Sequence, residues 1–166
     1  MTEPYLDHPL LAVYPNMFGF GYALFNQFNQ LKSYGMVTHE KNSQEVYLKR
    51  LRSIISVYKP SVILFPAQQG KFNKKRERVQ GLLSHMSMLA SEMGVHEIIY
   101  SRDEIRSAFD KYEAKTKWEI AQQISTFHPN LIDRCLRFRK DYMKEDYYHG
   151  IYDALSLIYT YYYRNE

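Results

Sequence analysis

Residues 10–26 read LLAVYPNMFGFGYALFN, and this stretch decides the fold class. An apolar run from Leu10 to Tyr14 meets the turn signal Pro15-Asn16, Gly19 and Gly21 stand between aromatics, and a second apolar run follows through Phe25. Apolar runs of this length, divided by Pro, Asn and Gly, form the pattern of a strand, a turn and a second strand. A short run at residues 33–38, with Tyr34, Met36 and Val37, supplies a third strand and completes a meander. Strands joined by turns this short pair antiparallel.

Beyond the meander the period changes. Tyr47, Leu51, Ile54, Ile55 and Tyr58 recur at helical spacing within residues 42–58, and Lys59-Pro60 stops the pattern. Ser61-Val62-Ile63-Leu64-Phe65, closed by prolines on both sides, reads as a buried strand. Val79, Leu82, Leu83, Met86, Leu89 and Met93 mark one face of a long helix ending at Gly94. HEIIY at residues 96–100 is a further strand, and Ser101 caps a short helix through Phe109. Lys117, Ile120, Ala121 and Ile124 outline another helix, closed at His128-Pro129. A basic, irregular stretch over residues 134–144 leads into a last helix, residues 145–163, with Ile151, Ala154, Leu155 and Ile158 as its buried stripe. Strand, helix, strand units demand parallel crossovers, so the expected class is α/β: a mixed sheet, an antiparallel three-strand meander followed by parallel strands, flanked by helices. A length of 166 residues suits one domain over 1–166.

Composition narrows the setting. Hydrophobic residues are 45% and charged residues 24%, which argues against long disorder. No apolar run is long enough to span a membrane, and Met1-Thr2-Glu3-Pro4 lacks a basic signal region, so a cytoplasmic protein is expected. Cys135 is the one cysteine and can form no internal disulfide; as a lone Cys it reads as a small buried hydrophobe before a nucleophile. The net charge of +4 is concentrated. KFNKKRER at residues 71–78 carries five basic residues against Glu77, an excess equal to that of the whole chain. Such a cluster points to a phosphate-bearing partner, or it is a solvated helix start.

Four stretches in order carry a resemblance over roughly residues 10–162. The opening AVYPNMFGFGYALF, then KPSVILFP, KTKWEIAQQI and the closing IYDALSL resemble the RuvC-type Holliday-junction resolvases of the RNase H-like superfamily. The resemblance implies a dimer that acts on DNA with carboxylates converging on Mg2+ or Mn2+, ions that activate water and neutralise the phosphodiester. Position by position, its first-strand Asp falls on Tyr14, its strand-ending Glu on Pro66, and one acid of the last helix on Gly150; only Asp153 is retained. A phenol is neutral near pH 7 and a proline side chain has no ligand atom.

The candidate catalytic and metal-binding residues are therefore Asp153 and Asp146, with Glu145 nearby. Asp146, His149 and Asp153 share one narrow arc of a helix, which presents two carboxylates and an imidazole or is simply a solvated polar face opposite Ile151, Leu155 and Ile158. Candidate nucleic-acid contacts are Lys71, Lys74, Lys75, Arg76 and Arg78, then Lys115 and Lys117 at the helix start matched by the resemblance, then Arg137, Arg139 and Lys140. Phe18, Phe20, Phe72 and Tyr148 are candidates for stacking on bases or for core packing, and Tyr159, Tyr161, Tyr162 and Tyr163 for packing or a subunit interface. The leading reading is a RuvC-like protein that binds branched or structured DNA, or RNA, and has lost hydrolysis. The alternatives are an active Mg-dependent endonuclease with a migrated carboxylate site and a structural or adaptor subunit that holds a partner chain or its own copy.

Overall fold

The computed structural model describes residues 9–27, 29–68, 74–134 and 148–165. Lys71, Phe72, Cys135, Arg137, Arg139, Lys140, Glu145 and Asp146 lie outside the described residues, as do the side chains of Lys74 and Lys75. Three antiparallel strands open the chain, β1 (Leu10–Asn16), β2 (Gly19–Gln27) and β3 (Gln30–Thr38). Helix α1 (Gln44–Tyr58) returns the chain to β4 (Val62–Pro66), and α2 (Lys74–Glu92) leads to β5 (His96–Tyr100). Helices α3 (Arg102–Ala108), α4 (Lys117–Phe127) and α5 (His149–Arg164) follow, with short 3-10 turns at Asp110–Tyr112 and Pro129–Arg134. The sheet order is β3-β2-β1-β4-β5, with β4 parallel to both β1 and β5.

Local chemistry sets the boundaries. Ser43 caps α1 by accepting from the Val46 N–H at 3.4 Å, and Lys59 ends it in a left-handed conformation (φ 48°) while donating its N–H to Ile55 O at 2.8 Å. Pro60 then prevents another turn.

Alternation along the strands divides the core into two layers. Leu11 and Val13 of β1 and Ile63 and Phe65 of β4 face α1 and α2; Leu10, Ala12 and Leu64 face α5, over which α3 and α4 pack. Helix α5 is thus covered by the sheet on one side and by α3 and α4 on the other.

That sandwiching decides readings the sequence left open. Asp153 and His149 are buried, with exposures of 4% and 5%, so the arc they share is not a solvated face. The buried surface of α5 goes beyond an apolar stripe: Ser156 Oγ donates to Asp153 O at 2.6 Å and Thr160 Oγ1 to Ser156 O at 2.7 Å, which satisfies the hydroxyls inside. Tyr161 and Tyr162 belong to this core and only Tyr163 of the terminal run is exposed. Of the two readings of Phe20, base stacking or core packing, the second holds: it is fully buried edge-on to Tyr47 in the α1–α2 layer. β3 begins at Gln30, three residues earlier than its apolar run, because an edge strand accepts polar residues such as Gln30 and Lys32. No helix among the described residues is long and apolar enough to cross a membrane.

Candidate functional site

Register and strand parity assemble the site. The parallel pairing of β1 with β4 runs through Ala12 and Leu64, so Tyr14 and Pro66, each two residues further on, project side by side from the α5 face. Asp153, one turn into α5, lies against them. The three positions line one cleft of about 450 Å³, at the carboxyl ends of β1 and β4 where open α/β sheets place their ligands. Two acid positions of the resemblance and its surviving acid thus come together in space.

Two further elements bring cations to the same cleft. Lys117 is the first residue of α4, fixed by a capping box in which Thr116 Oγ1 accepts from the Glu119 N–H and Glu119 Oε1 accepts from the Thr116 N–H, each at 3.1 Å. Its Nζ lies 3.6 Å from Asp153 Oδ2 and 5.4 Å from the centroid of the Tyr14 ring. Arg102 is the first residue of α3, and a second capping box, between Ser101 and Glu104, holds that turn. Burial pushes the Arg102 pKa down while the Asp153 carboxylate acts in the opposite direction; a guanidinium stays charged at neutral pH. His149 Nδ1 stands 3.9 Å from Asp153 Oδ1. Among the described residues the Asp153 carboxylate is therefore ringed by an ammonium, a guanidinium and an imidazole, and Arg76 from the first turn of α2 adds charge at the wall.

These residues do not fit the divalent ion that the resemblance implies. Mg2+ and Mn2+ want several oxygen ligands, with carboxylates among them. Tyr14 and Pro66 supply no carboxylate, and Asp153 is already paired with Lys117. Among the described residues no group of three His, Cys, Asp or Glu is placed to hold a metal. Position 150 offers little room for an acid either: a Cβ there would lie 2.6 Å from Met36 Sδ and 2.7 Å from Asn16 Nδ2. Charge points the same way, since two like unit charges about 4 Å apart repel by about 4 kcal/mol at an effective dielectric of 20, and a divalent ion doubles that.

Of the basic residues singled out in the sequence, Arg76 and Lys117 line the cleft, whereas Arg78 and Lys115 are exposed and do not. Phe18 is half-buried and Tyr148, 39% exposed, immediately precedes α5. Sequence reading missed Arg102. Its signal was present: β5 pairs in parallel with β4 so that Tyr100 stands beside Pro66, and Arg102 follows two residues later at the start of a capped helix.

No protein-family profile matches the chain, and no curated protein matches it significantly. Solved structures do. Thermus thermophilus RuvC in complex with Holliday junction substrate superposes with a TM-score of 0.66 at 14% identity, covering 95% of this chain and 94% of that one. A second Thermus thermophilus RuvC structure gives 0.64 at 14%, covering 95% of each chain. The yeast mitochondrial Holliday junction resolvase gives 0.62 at 12%, covering 98% of this chain and 80% of that one. The mixed sheet and its helices have the RuvC-type RNase H-like fold.

Proposed function

We propose that this chain uses its RuvC-type fold to bind nucleic acid, branched or structured DNA foremost, without hydrolysing it. The observation that carries the reading is the pairing of Asp153 with Lys117 in the cleft that Tyr14 and Pro66 line: where converging acids would be needed to cut a phosphodiester, the cleft presents cations. Among the described residues that line the cleft, Arg76, Arg102 and Lys117 face one acid, Asp153, a balance of about +2. The likeness of the fold to a RuvC seen with a Holliday junction substrate supports DNA as the partner. Cations that neutralise phosphates release counterions, and affinity then falls with salt by a slope of roughly 0.9 per phosphate contacted. Tyr148, exposed immediately before α5, offers a ring for the unpaired bases at a branch or single-stranded end.

Gel shift with four-way junction, fork and linear duplex DNA at about 50 mM salt tests this, in magnesium and in chelator. The expected result is retarded DNA that is released as salt rises, with every strand intact. Unretarded DNA of all three forms overturns the binding, and nicked product that disappears in chelator overturns the loss of hydrolysis.

A further inference from the structure

The disagreement between the cleft and a divalent ion has a positive side. We propose that Lys117 and Arg102 form a metal-independent receptor for one phosphate group of a nucleic-acid strand, seated over Tyr14 and Pro66. This rests on the reading that the cleft binds nucleic acid and specifies how it does so.

The placement is built. Each cation is the first residue of a helix locked by a reciprocal capping box, so its backbone is fixed without any contribution from a ligand. The Lys117 ammonium is aimed by Asp153 Oδ2 on one side and by the face of the Tyr14 ring on the other. The strand ends beneath it carry a phenol and a proline, which neither repel a phosphate nor claim the cations as carboxylates would. A guanidinium offers the planar fork that matches phosphate oxygens and an ammonium adds a compact charge, which together do the neutralising that a metal does elsewhere.

Size and charge agree. A volume of about 450 Å³ exceeds a bare phosphate and admits its sugar and part of a base, for which Tyr14 and Tyr100 offer apolar wall. Among the described residues of the lining, three cations against one carboxylate leave room for a group with one or two negative charges. The shared chemistry is a phosphate oxygen held by fixed cations. Its source is either a terminal phosphomonoester or an internal phosphodiester, and strands with and without a 5′-phosphate distinguish the two.

The test is fluorescence anisotropy with a labelled single strand and a labelled fork, each with a 5′-phosphate or a 5′-hydroxyl, in chelator and in magnesium. Wild type is expected to bind equally in both buffers. Arg102→Gln and Lys117→Met are each expected to weaken binding by about tenfold and to reduce the salt slope by about one. Arg52→Gln, whose guanidinium pairs with Glu92 away from the cleft, is expected to change neither. Tighter binding of the 5′-phosphate strands assigns the terminal source; equal binding with both losses retained assigns the internal one. Lys117→Met leaves the buried Asp153 without its ammonium, so if that variant does not fold, Arg102→Gln decides. Wild-type affinity and salt slope in Arg102→Gln, or loss of wild-type binding in chelator, overturns the receptor while leaving the broader reading intact. A wild-type protein that binds no strand overturns both.

Discussion

A Cβ built on Gly21 in β2 would lie 2.1 Å from the carbonyl oxygen of Gly150 in α5, so backbone meets backbone where the last helix joins the sheet. This approach sets how closely α5 descends on β2, and Asp153 stands one turn further along the same helix. Glycine at position 21 is thus a requirement of the site's geometry.

Gly21→Ala is expected to be destabilising by about 1–3 kcal/mol or more, because the methyl meets a backbone carbonyl that can move only with the whole helix. Gly150→Ala meets the side-chain ends of Met36 and Asn16, which can turn aside, and is expected to cost less. Thermal melting of the two variants checks the order; a Gly21→Ala melting temperature equal to wild type would contradict the close approach.

Restoring acids tests the convergence of the strand ends. Tyr14→Asp combined with Pro66→Glu places two carboxylates next to Asp153 on one sheet face. The double variant is expected to melt earlier than wild type in chelator and to regain stability in millimolar Mn2+, while the wild-type melting temperature ignores the metal. A wild-type protein stabilised by Mn2+ would contradict the expectation that the unaltered chain holds no such ion.

Stability is expected to decline in alkali through buried phenols. Burial, with Tyr161 and Glu104 adding to it, pushes Tyr100 up to about 12 from 10.0, and burial pushes Tyr159 and Tyr162 up as well. Their folded pKa values exceed the unfolded value, so the folded state holds protons that the unfolded chain has lost; the stability is complete below about pH 10 and is lost as pH rises towards 12. Spectrophotometric titration is expected to show a group of tyrosines ionising only with unfolding. A single transition of all phenols near their ordinary value, with the fold intact, would contradict this.

His128 gives the acid side. Burial lowers its pKa, and a 2.6 Å hydrogen bond joins its Nε2 to Tyr159 Oη within the aromatic cluster of Phe25, Phe127 and Tyr159. With the folded pKa below the ordinary 6.5, the unfolded chain takes up the proton first, so stability falls as pH drops below about 6.5 and levels off below the folded value. Melting between pH 7.5 and 5, roughly spanning that window, is expected to show a loss that His128→Gln flattens.

Much of the fold was legible because period and punctuation agree. Residues 96–100 form β5 as read, and Tyr47, Leu51, Ile54 and Ile55 of α1 and Ile120, Ala121 and Ile124 of α4 are buried. Tyr14 and Pro66 could be paired across the chain because a strand's side-chain period of two is strict, and the register of β1 with β4 turns that parity into adjacency. What the sequence by itself determined was the order of elements and the mixed sheet; that Tyr14, Pro66 and Gly150 stand at acid positions is what the resemblance to the resolvases implies. Only the tertiary structure decided that Asp153 is buried, that Lys117 takes it as a partner from a helix 36 residues away in sequence, and that Arg102 shares the cleft. The reason is physical: helical periodicity separates two faces of α5, but which face meets water depends on α3 and α4 packing over it, and a charge is read as a surface residue until its partners, distant in sequence, are brought to it.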